Sequence, residues 1–185
     1  MISSKEELRE KYIKLRAGIS QKSRKSQDLL GVFKKSSLQN KFSNWLLYKS
    51  AGSEISVDRI ADFLKEMNKN LFLPFIEELA VGKFDEYLRA VDKGHAVFFE
   101  PANAIKNHNV EVALIPALVF DLQGNRLGYG KLAWYDRFLQ NTNIYKIGIC
   151  FDEQLIDNLN PEKHDIPMDA IITDKKILYI NKISS

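Results

Sequence analysis

The apolar run Val112-Ala-Leu-Ile-Pro-Ala-Leu-Val-Phe120 leads after a short gap into Arg126-Leu-Gly-Tyr-Gly-Lys-Leu-Ala-Trp-Tyr-Asp-Arg137. The run reads as one buried strand, and Trp134 to Leu139 reads as the opening turns of a helix. Two glycines, an arginine and a lysine therefore stand between a strand end and a helix start. An open α/β sheet binds ligands there, and free N–H groups with the helix dipole favour an anion. Gly128 and Gly130 are expected to take positive φ and let backbone approach a ligand. Arg126 and Lys131 add positive charge, and Asp136 offers a carboxylate to a cation. A plain glycine turn explains the spacing equally well, because short glycine motifs match by chance. The Gly-Lys-Ser/Thr ending of a Walker A loop is missing.

A second stretch points to the same architecture. Trp45 to Tyr48 reads as a short strand, followed by the loop Ala51-Gly52-Ser53, with Glu54 at its far end. Val57 to Met67 reads as a helix through Ile60, Phe63, Leu64 and Met67, capped by Ser56. Leu71 to Leu73 is the next strand, closed by Pro74. A strand–helix–strand unit with short loops implies a parallel sheet. His95 to Phe99, Tyr145 to Phe151, Ala170 to Ile172 and Ile177 to Ile180 read as further strands. The last two are joined by Asp174-Lys-Lys176 as a hairpin. Around Phe84, Tyr87 and Leu88 a peripheral strand or short helix is expected, and Glu153 to Leu159 reads as a short helix.

At the start, Ser3 and Ser4 each precede a glutamate by three residues, which predicts a capped helix buried along Leu8, Tyr12, Leu15 and Ile19. A second helix is expected from Ser20 to about Asn44. With 185 residues and no repeat or linker, the chain is expected to be a single domain over 1–185. Its class is α/β, with a mainly parallel central sheet flanked by helices and an antiparallel edge.

The chemistry is narrowed mainly by exclusion. Cys150 is the only cysteine, so no internal disulfide forms and a reducing compartment is implied. Its apolar neighbours predict a buried, inert thiol. No apolar window is long enough to cross a bilayer and no signal peptide is visible, so a cytoplasmic location is expected, without a membrane partner. A net charge of +3 decides nothing. Nucleic-acid binding by the basic first helix lacks an accompanying aromatic platform. His95, His108 and His164 do not stand at metal-ligand spacing, and no Gly-x-Ser-x-Gly elbow appears. What remains coherent is phosphate handling. Arg16 shares with Lys5 and Arg9 a face neighbouring the buried side, and Lys5 and Arg9 lie one helical turn apart. Together with Arg126, Lys131 and one or two aspartates for Mg²⁺, they would suit ATP. A solvated basic stripe is the competing reading of the same helix, and a surface carboxylate is the competing reading of Glu54.

Phe120-Asp121, Gly124, Arg126-Leu-Gly-Tyr-Gly-Lys131 and Tyr135-Asp136-Arg-Phe-Leu139 closely resemble the signature of the 5-formyltetrahydrofolate cyclo-ligase family. Pro116 stands at the matching place before them. Weaker matches follow in the right order: Lys5, Leu8 and Arg9; Glu54; Pro74; Glu100-Pro101; His164-Asp165; and Ile171-Ile-Thr173. The resemblance implies a fold akin to sugar-phosphate isomerases and CoA-transferases. It also implies a ligase that forms a C–N bond, converting 5-formyltetrahydrofolate to 5,10-methenyltetrahydrofolate with ATP and Mg²⁺. In that family the formyl oxygen attacks the γ-phosphate, the folate 10-nitrogen then attacks the activated carbon, and phosphate leaves. Carried across, Lys5, Arg9, Arg126 and the loop Gly128-Tyr129-Gly130-Lys131 would touch ATP. Asp136 and Asp165 would hold Mg²⁺, and Glu54 would hydrogen-bond the pterin. Trp134 and Tyr135 would line the nucleotide–folate junction. Arg126, Lys131 and Tyr135 are the catalytic candidates, and a monomer is expected.

The chain departs from the family pattern inside the loop. Gly130-Lys-Leu-Ala-Trp-Tyr-Asp136 stands where the family has Gly-Lys-Gly-Tyr-Tyr-Asp, with one glycine lost and one residue gained. Leu132 and Ala133 bring Cβ atoms where backbone would pack against phosphate. Beside an active cyclo-ligase with a remodelled loop stands a second reading: a diverged homologue that binds folate or nucleotide without turning it over.

Overall fold

The computed structural model describes residues 4–75, 80–84, 88–92, 97–101, 104, 109–129, 134–140, 142–162 and 165–181. Helix α1 (Lys5–Gly18) is followed by α2 (Lys22–Lys35), β1 (Asn44–Leu46), α3 (Asp58–Glu66) and β2 (Asn70–Phe75). Then come β3 (Ala80–Lys83), β4 (Leu88–Asp92), β5 (Val97–Pro101), β6 (Val112–Pro116), β7 (Val119–Asp121) and β8 (Arg126–Leu127). Helix α4 (Trp134–Leu139), β9 (Tyr145–Cys150), β10 (Leu155–Ile156), β11 (Ala170–Thr173) and β12 (Ile177–Tyr179) complete the described elements.

The main sheet has the order β12-β11-β9-β6-β1-β2-β3. Pairing is parallel from β11 through β2 and antiparallel at both edges. The class is thus mixed α/β with a large, mainly parallel sheet, as the sequence implied. Alternation along the strands assigns the two faces. Trp45, Leu47, Leu71, Leu73, Val112, Leu114, Ile147 and Ile149 pack with Leu29 and Phe33 of α2 and Ile60 and Leu64 of α3. Leu46, Phe72, Ala113, Ile115 and Ile171 face the other way, onto Trp134, Phe138 and Leu139 of α4. Both faces are covered, which is why these strands read as continuous apolar runs.

A smaller sheet of order β10-β7-β8 carries the start of the glycine loop. Helix α1 packs on it: Tyr12 is buried with Leu118, Val119, Leu127 and Leu159, and Leu8 and Leu15 sit alongside. Ser4 caps α1 in a full capping box with Glu7, so the helix start that carries Lys5 is fixed by local sequence.

Four expectations are corrected. The run 112–120 is two strands, because the carbonyls at the break are taken by side chains: Arg16 and Gln154 donate to Ala117 O, and Gln154 also to Leu118 O. The second helix stops at Lys35. Ser36 Oγ turns back to the Phe33 carbonyl at 2.6 Å, and Ser37 takes φ 58°. Residues 153–159 are not a helix. A 3-10 turn at Asp152–Gln154 passes into β10, which pairs with Phe120 and Asp121. Finally, β2 runs through Pro74. Phe84 N–H bonds the Leu71 carbonyl, so alternation along β2–β3 turns the Pro74 nitrogen toward β1, whose paired residues end at Leu46. The missing donor therefore costs no ladder bond. Helix α3 forms where expected, although its N-cap residue is Val57, without a side-chain cap bond, and Ser56 Oγ accepts the Asp58 N–H from one residue earlier. Strands β11–β12 form the anticipated hairpin.

Candidate active site

Strand β6 leaves the main sheet at Pro116, and β7 carries the chain outward to Asp121. The Asp121 carboxylate is fully buried and organises the turn that follows. Its Oδ1 accepts the Gln123 N–H at 3.0 Å and the Asn125 N–H at 2.8 Å, and its Oδ2 accepts the Leu159 N–H at 2.9 Å. Gly124 takes φ +91° in this turn, and a Cβ there would lie 2.8 Å from the Met168 carbonyl. Gly128, by contrast, is outside the positive-φ region, which corrects that expectation. Its carbonyl rather than its torsion is used, as an acceptor for α1.

The turn delivers Arg126 to an almost enclosed position, its side chain 10% exposed. One terminal nitrogen pairs with Asp136 at the start of α4, and the guanidinium lies 5.9 Å from the Tyr135 ring centre. Its Nε is buried, with no hydrogen-bond partner among the described residues. Tyr135 is pushed up by burial, then by the Glu54 charge, against the opposing pull of Arg126. It is therefore a neutral phenol at ordinary pH, able to donate a hydrogen bond. Trp134 donates its indole N–H to Phe75 O at 3.1 Å and stacks on Phe138 at 4.5 Å, pinning α4 to β2. With a 3% exposed surface it is mostly support.

Helix α1 brings three cations to this end of the molecule. Lys5 Nζ lies 2.7 Å from Glu162 Oε1 and 3.4 Å from Asp165 Oδ2. Its hydrogen bond to Glu162, with Asp165 adding, holds the ammonium above the usual lysine range. Arg9 Nε donates to Gly128 O at 3.2 Å. Arg16 is buried against Tyr129, Ser53 and Glu54. Glu54 lines a narrow recess with Arg16, Tyr48 and Gln154. Burial raises its carboxyl, partly offset by the Ala51 N–H and the Arg16 charge.

Of the residues singled out by sequence, Arg9 is thus tied to the glycine loop, Lys5 and Asp165 pair with each other, and Arg126, Tyr135 and Asp136 form a second contiguous group. Gly130, Lys131, His95, His108 and His164 lie outside the described residues. Among the described residues no group of three or more His, Cys, Asp or Glu could hold a metal. Cys150 is buried, and burial pushes its thiol well up, as its inert reading requires. Arg16 was noted by sequence only as part of a basic stripe. Its spacing of seven from Arg9 puts both on one face, but spacing carries no signal of its burial.

The chain matches the model of the 5-formyltetrahydrofolate cyclo-ligase family over residues 1–174. The 5-formyltetrahydrofolate cyclo-ligase of Haemophilus influenzae is 30% identical over 145 residues, 72% of this chain and 77% of that protein. That of Escherichia coli K12 is 28% identical over 142 residues, 71% of this chain and 78% of the relative. Among solved structures, the 5,10-methenyltetrahydrofolate synthetase of Aquifex aeolicus aligns with a TM-score of 0.80 at 25% identity, covering 98% of this chain and 95% of that one. Motif, fold and sequence agree: the chain belongs to the 5-formyltetrahydrofolate cyclo-ligase family.

Proposed function

We propose that the chain closes 5-formyltetrahydrofolate to 5,10-methenyltetrahydrofolate in a reaction driven by ATP. The observation that carries this reading is the placement of α1 against two loops, through Arg9 to Gly128 of the glycine loop and through Lys5 to Asp165 in the loop between β10 and β11. Lys5, Arg9, Arg126 and the loop Gly128-Tyr129-Gly130-Lys131 are the residues assigned to the phosphates. The buried, unpartnered Arg126 Nε suits an incoming anion, because an unmade buried hydrogen bond is costly until a ligand supplies the acceptor. Glu54 is assigned to the pterin, and Trp134 and Tyr135 to the junction between the two substrates. A neutral Tyr135 hydroxyl can donate toward charge that develops on oxygen, and Arg126 and Lys131 neutralise the transferring phosphoryl group.

Asp136 and Asp165 are assigned to Mg²⁺. Hard carboxylate oxygens fit that ion, which needs only one or two of them when phosphate oxygens and waters complete its shell. Held by these two carboxylates, it would offset the charge of the phosphates. Both carboxylates already sit beside the cations assigned to phosphate, Arg126 and Lys5. On the same reading the 185 residues act as one cytoplasmic, monomeric catalytic domain, with no membrane or nucleic-acid partner and with wider kinship to sugar-phosphate isomerases and CoA-transferases. The parallel order β11-β9-β6-β1-β2 supports that kinship. Among the described residues no helix is long and apolar enough to cross a membrane.

The test mixes the protein with 5-formyltetrahydrofolate and Mg²⁺-ATP and follows absorbance of the methenyl product. A signal that needs ATP and disappears in Asp136→Ala is expected. No signal, with folate binding still seen by calorimetry, leaves a binding protein and sinks the catalytic reading.

A further inference from the structure

Arg16, near the end of α1, is 2% exposed, yet it carries a full charge. Its Nε donates to Ser53 Oγ at 3.0 Å. Its Nη1 donates to the Ala117 carbonyl at 3.4 Å and lies 3.8 Å from Glu54 Oε1. Its Nη2 donates to the Tyr129 hydroxyl, and the guanidinium carbon lies 5.3 Å from the Tyr129 ring centre. The other Glu54 oxygen accepts the Ala51 N–H at 2.9 Å.

This arrangement is a poor source of stability. A buried ion pair gains little over apolar side chains of the same volume, because desolvation offsets the attraction. The neighbouring face of α1 packs with Leu8, Tyr12 and Leu15, so an apolar residue suits the helix. What the planar fork adds is geometry: its donors point in fixed directions. Those directions lead to the loop before α3, through Ser53 and Glu54, to the end of β6, through Ala117, and to the glycine loop, through Tyr129.

We propose that Arg16 is a positioning residue for folate binding. One guanidinium sets both the carboxylate that meets the pterin and the loop that meets the phosphates. The proposal rests on the reading of Glu54 as a folate-binding residue. The groups facing Glu54 are Arg16 from α1, Tyr48 beyond β1, Tyr129 from the glycine loop, Tyr135 from α4 and the Ala51 N–H of its own loop. Arg16 is the cation of that set. Without it, burial acts on Glu54 opposed by the Ala51 N–H, and the carboxyl takes up a proton at higher pH.

The experiment compares wild type, Arg16→Met and Arg16→Lys in the full chain. It measures KM for 5-formyltetrahydrofolate and for ATP across pH, with ¹³C NMR titration of glutamate carboxyls to follow Glu54. In Arg16→Met the folate KM is expected to rise about tenfold, the loss of one charge-assisted contact, with a smaller rise in the ATP KM through the released glycine loop. The acidic limb of kcat/KM for folate and the Glu54 midpoint both move to higher pH. Arg16→Lys, which keeps the charge without the fork, is expected to restore the midpoint but only part of the KM. An Arg16→Met protein with the folate KM and acidic limb of wild type overturns the proposal, whatever its melting temperature. If that variant does not fold, Tyr129→Phe carries the test: a smaller rise in folate KM is expected, and no change overturns the proposal. A wild type that binds no 5-formyltetrahydrofolate overturns the function itself, and the proposal with it. A wild type matched by its variants overturns the proposal alone.

Discussion

Arg126 and Asp136 form an ion pair that spans the glycine loop, one on β8 and the other in the first turn of α4. The pair is unequal. The Arg126 side chain is 10% exposed and the Asp136 side chain 54%. Screening by solvent holds such a half-exposed pair to at most about 1 kcal/mol. Asp136 is therefore free to exchange Arg126 for another cation, and Arg126 keeps a buried nitrogen for another acceptor.

Activity and stability should thus separate at this position. Asp136→Asn is expected to shift unfolding free energy by no more than about 0.5 kcal/mol. Turnover should fall by roughly a hundredfold, because the substitution weakens the hold on the cation assigned to offset transition-state charge. Urea unfolding and initial rates, measured on the same preparation, check this. A loss of activity matched by an equal loss of folded protein would assign the pair to the scaffold.

Asp121 belongs to the signature, but its carboxylate meets backbone donors and the Asn125 side chain rather than open space. Asp121→Asn turns an NH₂ group against some of those donors. The expected cost is roughly 2–3 kcal/mol, the scale of hydrogen bonds to a charged group. It should appear as a lower urea midpoint with an unchanged m-value. A midpoint equal to that of wild type would mean that the turn holds without the carboxylate.

Tyr145 offers a prediction with a definite sign. Its hydroxyl is buried, with no hydrogen-bond partner among the described residues, and burial, with Asp169 adding, pushes the phenol up to about 12. Between the ordinary tyrosine value of 10.0 and that figure, the unfolded chain loses the proton and the folded chain keeps it. Stability from this group is complete below the unfolded value and falls as pH rises through the window. Tyr145→Phe should be as stable as wild type or slightly more so near neutrality, because an unpaired buried hydroxyl is removed. It should also lose less stability than wild type between pH 10 and 12. Parallel melting curves in the two proteins across that window would refute the assignment.

Periodicity made much of this fold legible in the sequence. The Ser4 cap, the apolar stripe of α3, the runs of β6 and β9 and the β11–β12 hairpin all follow from local pattern. Where pattern failed, distant groups decided the outcome. Val112 to Phe120 is apolar throughout, and its one sign of a break is Pro116, where β6 ends. The break is set by Arg16 and Gln154, far away in sequence, which take the Ala117 and Leu118 carbonyls. Residues 155–156 became a strand because Phe120 and Asp121 offered an edge. In the candidate site, Lys5, Arg9, Arg126 and Asp136 stood out by charge at motif spacing. Arg16 carried the same charge on the same helix, but burial is a tertiary property and spacing alone does not report it.

Lys5 and Arg9 separate a phosphate site from a solvated stripe most directly. Lys5 is already matched by Glu162 and Asp165, and Arg9 by Glu6 and the Gly128 carbonyl. On a mere surface stripe such partly exposed pairs contribute about 0–1 kcal/mol each, and Lys5→Ala or Arg9→Ala would leave the kinetics alone. If the two cations meet the nucleotide, either substitution removes a charge-assisted contact worth roughly 1.5–3 kcal/mol. The KM for ATP should then rise about tenfold or more, with the KM for 5-formyltetrahydrofolate little changed. The rise should also shrink as ionic strength increases, because salt screens the wild-type contact as well. Initial rates with ATP varied at two salt concentrations decide the matter. An ATP KM that neither variant moves at low salt would return the helix to the role of a solvated face.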